Sequence, residues 1–333
     1  MPRVSILLPA FNAAETLTAC LRSVLRQTEA DWECIVVDDG STDATAARTR
    51  DFAGRDERFV VVGTPHRGLT GALETGLAHC RAPFVARMDA DDVMHRDRLT
   101  LQLAAFLASP ELTAVACHVR IFPRGQLGDG WRSYERWIRT VDSPRRVREE
   151  AFVECPVVHP TLVVRTDVLR TLGYRCCGWP EDYDLVLRLL AAGHDIGVVP
   201  RRLLAWRDRA DRLTRTAAAY GIDRITACKA AFLADGFLAD TETYVLWGYG
   251  GTGRTLRRAL AAHGKRPSHV VEVHPGRLGN TIHGAPVIPW EALIGLPDAR
   301  IIVSVAGAEP RRLCRQALVG MGRHETRDFV CAA

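Results

Sequence analysis

Three aspartates, at 89, 91 and 92, close the run Ala86-Arg87-Met88-Asp89-Ala90-Asp91-Asp92. Carboxylates packed so closely repel one another unless a cation sits among them. Their oxygens suit hard divalent ions such as Mg²⁺ or Mn²⁺. The plain alternative is an acidic turn in which Asp92 caps the next helix. A second acidic group, Asp38-Asp39-Gly40-Ser41-Thr42-Asp43, lies upstream, and a third, Glu181-Asp182-Tyr183-Asp184, opens a helical run with Leu185, Leu189 and Leu190 on one face. Acidic residues in a first helical turn ordinarily offset the helix dipole.

The elements around these groups explain how they would meet. Phe84, Val85, Ala86 and Met88 read as a buried strand that ends at the three aspartates, and Cys34-Ile35-Val36-Val37 as another that ends at Asp38. A third strand, Val4-Ser5-Ile6-Leu7-Leu8, runs into Pro9-Ala10-Phe11-Asn12, and a helix follows with Leu17, Leu21, Val24 and Leu25 on one face. Short apolar strands alternating with helices predict an open α/β sheet. In such sheets ligands bind outside the carboxyl ends of the strands. Both acidic strand ends would then face one crevice, where a metal could carry the phosphates of a nucleotide.

Five segments carry a resemblance to a known family: VSILLPAFNAAETL at 4–17, VVDDGSTDAT at 36–45, ARMDADD at 86–92, VVHPTLVVR at 157–165 and EDYDLVLRL at 181–189. In order and spacing they resemble the family-2 glycosyltransferases, over roughly residues 1–215. The resemblance implies a GT-A nucleotide-diphospho-sugar transferase fold and an inverting, metal-dependent transfer from a nucleotide-sugar donor, first of all a UDP-sugar. It implies that Pro9, Phe11, Asp38 and Asp39 form the nucleotide pocket, with Asp39 reading the base. Asp89 would contact ribose or metal, Asp91 would ligate Mn²⁺ or Mg²⁺, and Asp182 would be the general base, with Glu181 positioning the acceptor. Asp184 would pair with a nearby arginine. His159 and Trp179 would stand on the acceptor side, although a structural histidine and a core tryptophan fit those positions equally well. His66-Arg67-Gly68 resembles the family's Asn-x-Gly turn. Trp206-Arg207-Asp208-Arg209 resembles an aromatic-Arg-x-His segment in which Arg209 replaces the histidine, so Arg207 and Arg209 would clamp the diphosphate instead. The acceptor would be a glycan or lipid-linked glycan, and the setting the cytoplasm or the inner face of the membrane.

Composition is consistent with a folded enzyme. The chain has 333 residues, 47% hydrophobic and 25% charged, which rules out a disordered polymer. Its formal charge of +5 comes from arginine, with lysine only at 229 and 265; no basic stripe alternates with aromatics, which argues against nucleic acid. The ten cysteines show no CxxC spacing and read as reduced thiols. No apolar run reaches the ~18 residues of a membrane span, and the N-terminal apolar run, broken by Pro9 and Asn12, does not read as a secretion signal. Peripheral membrane association stays open, and nothing in the chain specifies an oligomeric state.

Three segments are expected: a GT-A domain over 1–216, a helical connector over 217–239 and a Rossmann-like α/β domain over 240–333. In the last, the strand Tyr244-Val245-Leu246-Trp247 leads into Gly248-Tyr249-Gly250-Gly251-Thr252-Gly253, a GxGxxG pattern, and then a helix with Leu256 and Leu260. Further strands are expected at Val270–Val273 and Ile301–Val305. Gly248, Gly250, Gly253 and Glu272 form a candidate cofactor site. His274 stands where an aspartate is expected, and the segment is half of a full dinucleotide fold, so a structural or assembly domain that kept its glycine turn is the competing reading. For the whole chain, the alternatives to a transferase are a non-catalytic nucleotide-sugar-binding or assembly protein and a bifunctional enzyme with a cofactor-using C-terminal domain. A nucleotidyltransferase lacks support, because no glycine-rich, lysine-bearing loop lies near residue 10.

Overall fold

The computed structural model describes residues 1–209, 212 and 217–333. The chain divides into two compact units. The first contains Met1–Val147, Val157–Cys177 and Asp184–Arg215; the second contains Arg148–Pro156, Gly178–Tyr183 and Thr216–Ala333. The boundary expected at residue 216 falls outside the described residues.

The first unit is built on a mixed eight-stranded sheet. Its strands are β1 (Val4–Ala10), β2 (Trp32–Asp38), β3 (Phe59–Gly63), β4 (Phe84–Arg87), β5 (Val93–Met94), β6 (Ala114–Phe122), β7 (Val163–Arg165) and β8 (Ile196–Arg207), in the spatial order β3-β2-β1-β4-β7-β6-β8-β5. β3, β2, β1 and β4 are mutually parallel, and β7 then runs antiparallel to both β4 and β6. β1 and β2 are buried along their whole length, which explains their predominantly apolar sequences. The register Ala10↔Asp38 and Leu7↔Arg87 brings the ends of β1, β2 and β4 to one edge of the sheet, as the acidic strand ends required.

Helices cover these strands by apolar contact. Ala14–Leu25 buries Leu17, Cys20, Leu21 and Val24, whereas Leu25, expected on the same face, is the helix's last residue and lies 40% exposed. Gly68–His79 packs so closely on the sheet that a Cβ at Gly76 would overlap Leu7 Cδ1 and approach Val37 Cγ2 to 2.8 Å. At the opposite ends of the central strands, buried Glu33 on β2 accepts bonds from the Ser5 hydroxyl on β1 (2.6 Å), the Arg81 amide (2.7 Å) and the Arg81 Nε (2.8 Å).

The second unit has a six-stranded sheet made of β9 (Thr243–Trp247), β10 (Arg266–Val271), β11 (Thr281–Ile282), β12 (Ala285–Ile288), β13 (Ile301–Val303) and β14 (Phe329–Cys331), ordered β11-β12-β10-β9-β13-β14. Five strands are parallel, and β11 is an antiparallel edge strand. Alternate residues of β9 face opposite sides: Tyr244 and Leu246 join Leu256 and Leu260, while Val245 and Trp247 join Cys314 and Leu318. The helix Ile222–Phe232, within the expected connector, belongs to this unit, where Ala230 and the following Leu233 and Leu238 are fully buried in the first of these clusters. All ten cysteines are free thiols, and only Cys176 and Cys177 are exposed. Among the described residues no helix is long and apolar enough to cross a membrane.

Candidate active site

β4 delivers its acidic tip through a buried arginine. Arg87, the last residue of the strand, is 3% exposed and forms an ion pair with Asp89. Its carbonyl accepts a bond from Nη2 of Arg98 (3.0 Å), a fully buried arginine whose Nε donates to Gln102 (2.9 Å). The helix Ala14–Leu25 braces the following backbone: Thr16 Oγ1 donates to the Ala90 carbonyl (3.1 Å) and Cys20 Sγ to that of Asp89 (3.2 Å). Asp89, Asp91 and Asp92 thereby bring their carboxylate oxygens within 4.8 Å of one another.

Asp92 is not a helix cap, because the short strand β5 follows it and the next helix begins only at Arg98. It is fully buried; Oδ1 accepts the Arg207 amide (2.7 Å), and Oδ2 has no hydrogen-bond partner among the described residues. Burial, and then the neighbouring Asp89, push the Asp91 carboxyl above its ordinary range, and the same two causes with Asp91 added push Asp92 well above it. A buried, unpartnered oxygen among three crowded carboxylates fits a hard divalent cation, which would satisfy the oxygen and relieve the repulsion. Arg207, at the end of β8, is tied into this tip. Its Nε donates to the Asp91 carbonyl (2.7 Å), and its guanidinium lies 4.5 Å from the Phe122 ring centre. Arg212 donates to the Arg207 carbonyl (2.8 Å), and Arg209 lies 4.0 Å from Glu15.

The ends of β1 and β2 form the neighbouring wall. Pro9 is buried within β1, and Phe11 just beyond it is 46% exposed, stacked on the His66 ring at 4.1 Å. Asp38 Oδ1 accepts the Ser41 amide (3.2 Å). Asp39, 2% exposed, accepts the amides of Arg67 (2.8 Å) and Gly68 (2.9 Å) and the Thr64 hydroxyl (3.3 Å), and its Oδ2 lies 2.8 Å from His66 Nδ1. Asp39 thus organises the turn that starts the helix Gly68–His79. Gly40 (φ +73°) has no room for a side chain, since a Cβ would lie 2.8 Å from the His66 nitrogen. Asn12, Ser41, Asp43 and Thr45 bind the two loops together: Ser41 Oγ accepts the Asn12 amide, Thr45 Oγ1 that of Ala13 and Asp43 that of Ala14.

Glu181, Asp182 and Trp179 lie in the segment Gly178–Tyr183 of the second unit. Glu181 and Asp182 open the helix Glu181–Ala191. Asp182 Oδ1 accepts the Tyr183 amide (2.7 Å), while buried Glu181 accepts the hydroxyl of Tyr220 (2.7 Å). Trp179 is half-buried. Asp184, fully buried in the first unit, is held by Arg175 (2.6 Å) and Arg188 (2.7 Å), the arginine pairing expected of it. His159 is 5% exposed, with Nε2 3.3 Å from the Tyr174 hydroxyl; burial, and secondarily Arg87, hold its ring nitrogen well below the ordinary histidine range. Gly248 and Gly250 lie in the turn between β9 and the helix Gly251–Ala261, Gly253 lies in the first turn of that helix, and Glu272 directly follows β10.

Sequence reasoning passes over Arg87, Arg98 and Tyr220. Charged side chains buried inside a strand or helix leave no periodic signal. The helix Asp129–Ile138 is likewise not among the elements expected from sequence, although the spacing of Trp131, Tyr134 and Ile138 is a helical sign.

The chain is similar to known proteins in sequence and in fold. The model of Glycosyl transferase family 2 matches residues 5–173. The amylovoran biosynthesis glycosyltransferase AmsE of Erwinia amylovora is 30% identical over 216 residues, 63% of this chain and 78% of that protein. The UDP-Glc:alpha-D-GlcNAc-diphosphoundecaprenol beta-1,3-glucosyltransferase WfgD of Escherichia coli is 36% identical over 105 residues, 31% of this chain and 41% of WfgD, so the likeness spans less than half of that relative. Among solved structures, the mannosyltransferase PcManGT of Pyrobaculum calidifontis, in complex with GDP-Man and Mn²⁺, superposes with a TM-score of 0.54 at 22% identity, covering 79% of this chain and 69% of that one. The sheet is that of the GT-A transferases, and the chain belongs to glycosyl transferase family 2.

Proposed function

We propose that this family member is an inverting transferase that moves a sugar from a nucleoside-diphosphate donor, a UDP-sugar in the first instance, to a hydroxyl of a glycan or lipid-linked acceptor in polysaccharide synthesis. The observation that carries the reading is the cluster Asp89, Asp91 and Asp92 with its unpartnered Asp92 oxygen, held at the sheet edge beside Asp39 and Phe11. A divalent ion bound there would supply Lewis acidity toward the departing diphosphate.

The chain's own residues do the rest. Exposed Phe11 offers a ring face to the base. Arg207 brings a guanidinium, the geometry suited to phosphate oxygens, to the acidic tip. Asp182 accepts the proton of the acceptor hydroxyl, whose oxygen bonds to the anomeric carbon as the bond to the diphosphate oxygen breaks on the opposite face. One bond forms and one breaks, the configuration inverts, and the proton leaves Asp182 for solvent. His159 and Trp179 are assigned to the acceptor side, and an acceptor on a lipid carrier would bring the protein to the inner membrane face.

The test is a panel of nucleotide sugars incubated with Mn²⁺, reading nucleoside diphosphate release and the anomeric configuration of the product. EDTA should abolish release and added Mn²⁺ or Mg²⁺ restore it. Full turnover in metal-free buffer, or a retained configuration, refutes the mechanism.

A further inference from the structure

The glycine turn of the second unit borders a cavity of about 620 Å³. It opens at the carboxyl ends of β9, β10 and β13, where the strand order β12-β10-β9-β13-β14 reverses direction on either side of β9. Such a reversal leaves a crevice between the connections that depart to opposite faces.

The four glycines of the turn and the first helical turn after it have different reasons to be glycine. Gly248 (φ +96°) could not carry a Cβ, which would lie 2.8 Å from Val305 Cγ2, and at Gly253 a Cβ would overlap the Gly248 carbonyl and lie 2.6 Å from Ser304 Oγ. Those two are explained by packing. Gly250 and Gly251 have nothing within 4 Å of an added Cβ, and both line the cavity. Packing does not require glycine there; a backbone left bare toward the cavity does allow close approach by something entering it. The helix Gly251–Ala261 begins at this point with no side chain capping it, so its first amides point toward the same space.

The remaining walls define the occupant. Val273, Trp290 and Leu313 are exposed apolar side chains on the cavity's border, and the Trp290 ring lies nearly parallel to Trp247, 15° apart at 6.4 Å. Glu272 is held by Oε1, which accepts the Tyr249 amide (2.9 Å) and Arg277 Nη1 (3.0 Å), leaving Oε2 without a hydrogen bond among the described residues. A compact dianion is disfavoured next to this carboxylate. A ligand with an anionic end, a hydroxyl-bearing middle and a flat apolar end meets all three surfaces.

We propose that this cavity binds a nucleotide, free or as half of a dinucleotide. Its phosphate lies on the amides of Gly250–Thr252, a ribose hydroxyl donates to Glu272 Oε2, and the base rests against Trp290 and Leu313. The site is separate from the donor pocket of the first unit and does not depend on the transferase reading.

Calorimetry on the full chain in EDTA tests it, with ADP, NAD⁺, adenosine and inorganic phosphate as probes. Saturable binding of ADP or NAD⁺, at least tenfold tighter than that of adenosine or phosphate, is expected; a preference for ADP identifies a free nucleotide and a preference for NAD⁺ a dinucleotide. Gly250→Asp, whose side chain has room and places a carboxylate at the phosphate position, should weaken binding at least tenfold, and so should Trp290→Ala should Gly250→Asp not fold. Phe11→Ala, in the first unit, should leave it unchanged. Absence of binding by every probe overturns the proposal, as does phosphate or adenosine binding as tightly as ADP and NAD⁺. Binding lost in Phe11→Ala but kept in Gly250→Asp also overturns it, by placing the ligand in the donor pocket.

Discussion

Replacing Asp39 separates two roles that the resemblance merges, reading a base and building a turn. Its carboxylate accepts two backbone amides, Arg67 and Gly68, while only 2% exposed. Leaving a buried donor without an acceptor costs about 1–3 kcal/mol each. The His66 side chain beside them is 55% exposed, so water can re-enter part of the gap, and the lower half of the range applies, about 2–4 kcal/mol for Asp39→Ala. For a unit of this size each kcal/mol moves Tm by ~2–4 °C, giving a fall of about 4–16 °C. Asp39→Asn keeps one acceptor oxygen but turns an amide donor toward the other N–H, so it should fall between wild type and alanine. Thermal melts followed by circular dichroism measure the shift, and donor KM measured in parallel should rise in both variants. A melting temperature for Asp39→Ala within about 1 °C of wild type, with KM alone raised, would show that Asp39 serves the ligand and not the turn.

Asp182→Asn keeps the shape of the proposed base and removes its proton affinity; kcat should fall ~10²-fold or more with donor KM little changed, and near-normal turnover would reassign the base. Gly76→Ala gains up to ~1 kcal/mol of helix propensity but overpacks Leu7 and Val37 at a cost of ~1–3 kcal/mol. It should therefore lower Tm by a few degrees, and a Leu7→Ala background should remove part of that loss in a double-mutant cycle. Glu33 loses some of its acidity to burial, but the Ser5 hydroxyl and the Arg81 amide and guanidinium outweigh this and hold its carboxyl below the usual 4.5. A carboxyl lowered in the folded state stabilises fully above its unfolded value and loses that contribution as pH falls through the folded one. The acid limb of a stability profile below pH 4.5 should be shallower in Glu33→Gln than in wild type; parallel limbs would remove Glu33 from the acid response.

The strands that carry the site were readable because buried parallel strands show as predominantly apolar runs, unbroken at 34–37 and interrupted once each at 4–8, by Ser5, and at 84–88, by Arg87. The helix Gly68–His79 was readable from its glycine turn. The antiparallel half of the sheet was less so: β6 and β8 mix His118, Arg120, Arg201 and Arg202 with apolar residues, and β8 turns outward at Pro200–Arg202. Of the site, the acidic residues announce themselves by type and spacing. Their supports do not. Arg87 reads as an interruption in a strand until its burial beside Asp89 is known, and Asp92 reads as a helix cap until β5 intervenes. The saturation of Asp39 by Arg67 and Gly68 depends on a contact between residues 28 and 29 positions apart, which local pattern cannot supply.

The helix Ala14–Leu25 reaches both walls of the crevice. Its start is fastened to Asp43 and Thr45, and its inner face grips the carbonyls of Asp89 and Ala90. A single helix therefore sets the gap between the loop that carries Asp43 and Thr45 and the acidic loop at Asp89 and Ala90. For the nucleotide-sugar donor proposed above, that gap would work as a ruler: adaptation to new sugars would be free to reshape the far side of the cleft, while the length of the leaving group would stay fixed by the mount the two loops share.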